Sequence, residues 1–159
     1  MAEIVLHDYW RSSAAYRVRI ALNLKGVSYR SVTVDLAAGD QRGAPFRALN
    51  PLGLVPLLEV DEQRISQSLA IIDFLDARFP EPRLLPADPL ERAQVMALAL
   101  TIAAEVHPLQ NLRVQNYLRD EINPYGVPGN PRYRLDVTLA EQRADIGLRR
   151  ADIRTRTNL

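Results

Sequence analysis

The sequence predicts an α/β domain over residues 1–81 followed by an all-helical segment over residues 88–159. Three observations carry that reading. Short apolar runs and helical periodicity alternate as strand, helix, strand and then strand, strand, helix. A proline-rich linker, residues 82–89, follows them. After it, Asp88-Pro89-x-Glu91 is a strong helix start: an N-cap acid, a proline at the first helical position and an acid two residues on.

The first strand is expected near Glu3–His7, ending in a polar turn His7-Asp8-Tyr9-Trp10. Ser12 and Ser13 stand where a helix should begin, since a hydroxyl there can satisfy a backbone N–H of the first turn. Ala14, Val18, Ala21 and Leu22 recur at helical spacing and predict its buried face. Lys25 falls in the last turn, and Gly26 suits the left-handed position beyond it. Tyr29–Leu36 alternates, with Val32, Val34 and Leu36 on one face, and reads as a strand parallel to the first. A glycine-containing loop, 37–44, leads to a short helical turn at Phe46–Leu49 and the turn Asn50-Pro51-Leu52-Gly53.

Val55–Val60 predicts the third strand, with Pro56 tolerated near its start, and Arg64-Ile65-Ser66 can return antiparallel. Gln67 to about Phe79 reads as a well-buried helix through Leu69, Ile71, Ile72, Phe74 and Leu75, stopped by Pro80-Glu81-Pro82. This βαβ-then-ββα order is the thioredoxin-like layout. A helix from Pro89 through Val95, Leu98, Ala99 and Ile102 is expected to reach Pro108, with another from Leu109 to about Glu121. The stretch 123–131 is too rich in Pro and Gly for regular structure. Beyond it, Leu135, Leu139, Ile146 and Ile153 form only a thin stripe, and Thr138-x-x-Glu141 is a lone capping-box match; the tail reads as a marginal helix or as disordered. So thin a stripe should add little stability and leave the apolar faces of 89–121 exposed.

The 47% hydrophobic content supports a core, and a net charge of +1 argues against nucleic acid or a membrane surface as partner. All but one of the 20 basic residues are arginine, so Schiff-base chemistry is disfavoured. With no cysteine there is no disulfide, thiolate metal site or protein thiol nucleophile, and thiol chemistry would need a bound cofactor. No secretory signal and no run of about 18 apolar residues is visible, and a soluble cytoplasmic protein without a metal is expected.

Taken alone, the two serines read first as an ordinary cap. A thiolate placed there would meet free amides, the positive end of the helix dipole and a hydroxyl donor. The pattern Arg11-Ser12-Ser13-x-x-x-Arg17-Val18-Arg19-Ile20-Ala21-Leu22-Asn23-Leu24-Lys25-Gly26 resembles the first βα unit of zeta-class glutathione transferases, the maleylacetoacetate isomerases. Ala48-Leu49-Asn50-Pro51, Val55-Pro56, Gln67-Ser68-Leu69-Ala70-Ile71-Ile72 and Pro108-Leu109-Gln110-Asn111-Leu112-Arg113 resemble the same family in its order and spacing. The resemblance spans roughly residues 4–120; the helical glutathione-transferase C-terminal domain it implies is incomplete or atypical after about 122.

The resemblance implies glutathione as cofactor. It assigns the key hydroxyl to Ser13, with Ser12 and Arg11 beside it, and places Ala14, Ala15, Tyr16 and Arg17 along the binding helix start. Ala14 stands where the family often has cysteine. Val55 before a cis Pro56 would pair with the peptide backbone, though a strand-initiating proline is the plainer reading. Gln67 and Ser68 would hold the γ-glutamyl carboxylate, or simply cap a helix. Gln41 matches a further glutathione contact. His107, Asn111, Leu112 and Arg113 match a region facing the family's active site. Arg11 and Arg113 could fork a dicarboxylate, or be solvated surface arginines. The implied reaction is cis–trans isomerisation of maleylacetoacetate or a related maleyl diketo acid, in tyrosine and phenylalanine catabolism, by a homodimer. General transfer to electrophiles such as α-halo acids, and a non-catalytic binding module, are the alternatives.

Overall fold

The computed structural model describes residues 3–118. The expected tail stripe, its capping-box match and the Pro/Gly stretch lie outside the described residues. Two compact units divide between Glu105 and Val106.

In the first unit, β1 (Val5–Asp8) pairs in parallel with β2 (Arg30–Thr33) and antiparallel with β3 (Leu57–Val60), which pairs antiparallel with β4 (Gln63–Ser66). The order β2-β1-β3-β4 is the thioredoxin-like sheet expected from the pattern. Helices α1 (Ser13–Leu24) and α3 (Ser68–Arg78) pack together. Leu6, Val18, Leu22, Leu58, Ile71 and Leu75 form the sealed centre of the core they share with the sheet. Burial of each such side chain is worth about 1.5–3 kcal/mol. A smaller cluster of Val34, Phe46 and Leu57 involves α2 (Ala44–Leu49).

Several expectations need correcting. His7 and Asp8 do not form a turn; both belong to β1 and both are buried. Ala15, not Ala14, joins Val18, Ala21 and Leu22 on the buried face of α1. Both alanines precede Val18 by about one turn, so spacing alone does not choose between them. The ladder takes only Arg30–Thr33 of the alternating stretch 29–36, although Val34 is still buried. β3 begins at Leu57, so Val55 and Pro56 stand just outside it.

The end of α1 is a Schellman motif. Gly26 adopts φ +64, its N–H donates to the Asn23 carbonyl and the Val27 N–H donates to the Leu22 carbonyl, both at 3.0 Å. Here Lys25 does far more than face a helix dipole. Its ammonium is sealed from solvent and donates to Asp76 Oδ1 at 2.5 Å and to the carbonyls of Phe79 and Pro82 at 2.6 Å each.

Helix α4 (Pro89–Leu100) starts as expected, with the Asp88 carboxylate accepting from the Leu90 and Glu91 amides. It is tied to α3 by the Arg92–Asp73 ion pair, and none of its residues is buried. Its predicted stripe is open, Val95 and Leu98 each being 40% exposed. A π-helical turn, Thr101–Val106, runs into the second unit. There α5 (His107–Gln110) ends not at Pro108 but at Asn111, whose extended backbone and side-chain oxygen cap α6 (Leu112–Tyr117). Pro108 sits in the first turn of α5, where its missing N–H costs no intrahelical bond.

Candidate active site

Sheet register gathers most of the candidate residues of the first unit at one end. Asp8 pairs with Thr33, His7 with Leu57, and Leu57 with Ser66. The exits of β1, β2 and β4 and the entry to β3 therefore share an edge. The chain leaves that edge into Ser12–Ser13, into the loop carrying Gln41 and into Gln67–Ser68, and it approaches β3 through Val55–Pro56.

Ser12 is the N-cap of α1, its Oγ accepting from the Ala15 amide at 3.2 Å, and its own N–H donates to the Tyr9 carbonyl at 2.9 Å. Ser13 is the first helical residue and is exposed. The two serines thus divide the work: one closes the helix, the other stands at its mouth. Ala14 is half-buried and Tyr16 exposed beside them. Arg17 is half-buried, and that burial lowers its pKa from the usual guanidinium value. The Arg11 guanidinium lies over the Trp10 ring, 5.5 Å from its centre.

The Val55–Pro56 bond is cis, as the resemblance implied; Glu81–Pro82, also cis, was not foreseen. The loop before Val55 is organised by Asn50. That buried side chain donates from Nδ2 to the Leu54 carbonyl at 2.8 Å and accepts from the Leu52 amide at 3.2 Å. Gly53 adopts φ +62, and a Cβ there would lie 2.8 Å from the Gln41 carbonyl oxygen. Only glycine lets these two segments meet. Gln41 is accordingly not an open-loop side chain. It sits in the 3-10 turn Asp40–Arg42, buried, with Oε1 lacking a hydrogen-bond partner among the described residues.

At the start of α3, Gln67 occupies the N-cap position with φ +70 and contributes no side-chain cap. Ser68 is the first helical residue and is buried. A non-glycine residue at positive φ costs on the order of 1–3 kcal/mol and concentrates at ligand sites. Neither residue therefore acts as a plain cap, and no capping side chain covers the first-turn amides of this helix.

His107, Asn111, Leu112 and Arg113 belong to the second unit. His107 is half-buried at the start of α5. Asn111 Oδ1 accepts from the Val114 amide at 3.2 Å, while Leu112 and Arg113 are exposed on α6. Among the described residues, no cluster of His, Asp and Glu is arranged to hold a metal, and no helix is long and apolar enough to cross a membrane.

Comparisons with known proteins identify the family of this fold. Residues 11–78 match the glutathione S-transferase N-terminal domain. The chain is 49% identical over 136 residues to a probable maleylacetoacetate isomerase of Vibrio cholerae, covering 84% of this chain and 63% of that protein. It is 54% identical over 112 residues to the maleylacetoacetate isomerase of Rhizobium meliloti, covering 70% of this chain and 53% of that protein. The solved maleylacetoacetate isomerase of Methylobacterium extorquens, with bound malonate and glutathione, superposes with a TM-score of 0.68 at 45% identity, over 78% of this chain and 57% of that chain. The same enzyme of Anaeromyxobacter dehalogenans, with bound dicarboxyethyl glutathione and citrate, gives a TM-score of 0.67 at 42% identity, over 78% and 59%. The chain spans about half to three fifths of the length of these relatives. With residues 11–78 forming its glutathione S-transferase N-terminal domain, the chain belongs to the zeta-class glutathione transferase and maleylacetoacetate isomerase family.

Proposed function

We propose that this chain binds glutathione at the sheet end and serves cis–trans isomerisation of maleylacetoacetate or a related maleyl diketo acid. The observation that carries the reading is the convergence on one edge of a serine-capped helix start, a cis Val55–Pro56 and a helix start without a capping side chain. Each suits one part of a γ-glutamyl tripeptide. The amides opening α3 and the Ser68 hydroxyl suit its α-carboxylate. The backbone of Val55, outside the ladder, suits its central peptide unit. Gln41 Oε1, without a partner among the described residues, suits an amide donor, which a peptide ligand supplies.

Free thiols titrate near 8.5, leaving only about 3% thiolate at pH 7. A downward shift of ~2 units requires ~2.7 kcal/mol in favour of the anion. The Ser13 hydroxyl and the amide end of α1 are the groups placed to supply it, with Ser12 holding the helix start in place. Bound glutathione would supply the nucleophile for reversible conjugate addition to the cis double bond, whose electron pair the substrate's own carbonyl takes up as an enolate; Ser13 and the first-turn amides of α1 would hold that nucleophile as the thiolate. The bound malonate and dicarboxyethyl glutathione in the relatives support that chemistry. Arg11, directly before Ser12–Ser13, is the candidate grip on the acid substrate, since guanidinium forks carboxylates at two points. A cosubstrate that must stay reduced suits a cytoplasmic setting.

Isothermal titration of the full chain with glutathione, followed by isomerase assay, tests the reading. Arg11→Ala should lower kcat/KM for a maleyl diketo acid about tenfold more than for a neutral electrophile, the worth of one charge-assisted bond. An equal fall for both substrates removes Arg11 from that role.

We also propose that the chain self-associates as a homodimer. Val95, Leu98 and Ile102 recur at helical spacing and are exposed on and just beyond α4, and exposed apolar patches mark association surfaces. Light scattering should report a mass above the 17.9 kDa of one chain; a monodisperse monomer would refute the proposal.

A further inference from the structure

The connection from β1 to α1 is held by a buried ion pair that the functions assigned above leave unused. The Asp8 carboxylate is almost wholly buried. Its Oδ2 accepts from Arg19 Nη1 at 3.0 Å and its Oδ1 from the Ser31 hydroxyl at 3.2 Å. The other arm of the guanidinium, Nη2, donates to the Trp10 carbonyl at 3.1 Å. The same guanidinium lies over the Tyr16 ring, 5.3 Å from its centre. One side chain on α1 therefore joins the strand end, the loop and its own helix. The guanidinium reaches these two acceptors from two separate nitrogens held in one rigid plane; a lysine here would have to reach both from a single nitrogen on a shorter side chain.

We propose that Arg19, through Asp8 and the Trp10 carbonyl, is the positioning residue of the anion site at the start of α1, setting where the Ser12–Ser13 hydroxyls and first-turn amides point. The proposal rests on the glutathione reading above. A buried carboxylate is tolerated only when paired. Without Arg19, an uncompensated anion would remain four residues before Ser12, in a segment that has to receive a second anion. A slack loop and a bare charge would then both oppose the thiolate.

The test uses the full chain and Trp10, its single tryptophan, which lies in the loop itself. Arg19→Met should shift Trp10 emission and its quenching by acrylamide. It should also weaken glutathione about tenfold and raise the bound thiol's titration midpoint by about one unit, the loss of one charge-assisted bond. Arg19→Lys should keep the far-ultraviolet circular dichroism of the parent yet recover less than half of those losses, which carries the test if Arg19→Met fails to fold. Asp8→Asn combined with Arg19→Met should restore part of the thiol midpoint without restoring the Trp10 signal, separating charge from position. Arg30→Met, which breaks only the exposed ion pair with Glu3, is the control and should change nothing. Parental glutathione affinity and thiol midpoint in both Arg19 variants would overturn the proposal. No glutathione binding by the parent chain would overturn the reading beneath it. That failure is distinguishable, because the Trp10 response to Arg19→Met needs no ligand.

Discussion

Replacing Lys25 with methionine should cost about 3–5 kcal/mol of stability, because it breaks a buried ion pair from one side. That is a large share of the 5–15 kcal/mol typical of a folded domain. The three N–H donors of the ammonium meet three acceptors, Asp76 Oδ1 and the carbonyls of Phe79 and Pro82. Asp76 in turn accepts from the Leu84 amide at 2.8 Å and the Leu85 amide at 3.2 Å. One cation thus fastens the end of α1 to α3 and to the segment that leaves it. Methionine fills the stem but leaves a buried carboxylate and two carbonyls without their donor. The double variant Lys25→Met/Asp76→Leu should recover only the part owed to the bare charge, since the carbonyls of Phe79 and Pro82 and the amides of Leu84 and Leu85 still lose their partners.

The same network sets the acid limb of stability. Burial by itself would raise the Asp76 pKa; the Lys25 bond and charge and the two amides outweigh it and hold the group below the ordinary carboxylate value. A lowered folded pKa contributes stability that is fully present above the unfolded value, near 4, and is lost as pH falls through the folded one. Glu59 acts in the same direction, held low chiefly by its 2.5 Å hydrogen bond with His7, against the opposing effect of burial, and also by Arg64. In Lys25→Met, burial of Asp76 is opposed by the amides alone, so its folded pKa moves up toward the unfolded one and its contribution to the acid loss shrinks. Urea denaturation at several pH values between neutrality and acid checks both statements. A parental acid limb in the variant would show that Lys25 does not govern Asp76.

Ser13→Ala should raise the titration midpoint of bound glutathione by about 1–2 units, the worth of a hydrogen bond to a charged acceptor, with affinity changed only a few-fold. At pH 7 the thiolate fraction, and with it turnover, would fall roughly three- to twenty-five-fold from a parental midpoint near 6.5. Ser12→Ala should behave differently. It removes the cap on Ala15 and should cost about 1 kcal/mol of stability. An unchanged midpoint in Ser13→Ala beside a shifted one in Ser12→Ala would exchange the two roles.

The contrast between these residues shows what could be read in advance. The helix start at Ser12–Ser13, the left-handed Gly26 and the Asp88 cap each follow from local chemistry, because the partner lies within four residues in sequence. The strand order follows from the alternation of patterns. Lys25–Asp76, Asp8–Arg19 and the meeting of Gly53 with Gln41 depend on partners 51, 11 and 12 residues away. No local rule selects among distant acids or forbids a Cβ at a contact not yet formed. A faint signal was present. Lys25 is the single lysine in an arginine-rich chain, and Asp76 lies inside the apolar run of α3. The positive φ of Gln67 left no mark in the sequence at all. The stripe of α4 was legible as a stripe, and its exposure followed from the thin apolar content expected to cover it.

The central claim is that this sheet end binds glutathione and ionises its thiol. Ultraviolet difference titration of the full chain with glutathione measures both at once. The account predicts saturable binding with a thiolate midpoint about two units below that of the free thiol, near 6.5. Bound glutathione that still titrates near 8.5, or no saturable signal at all, would contradict it.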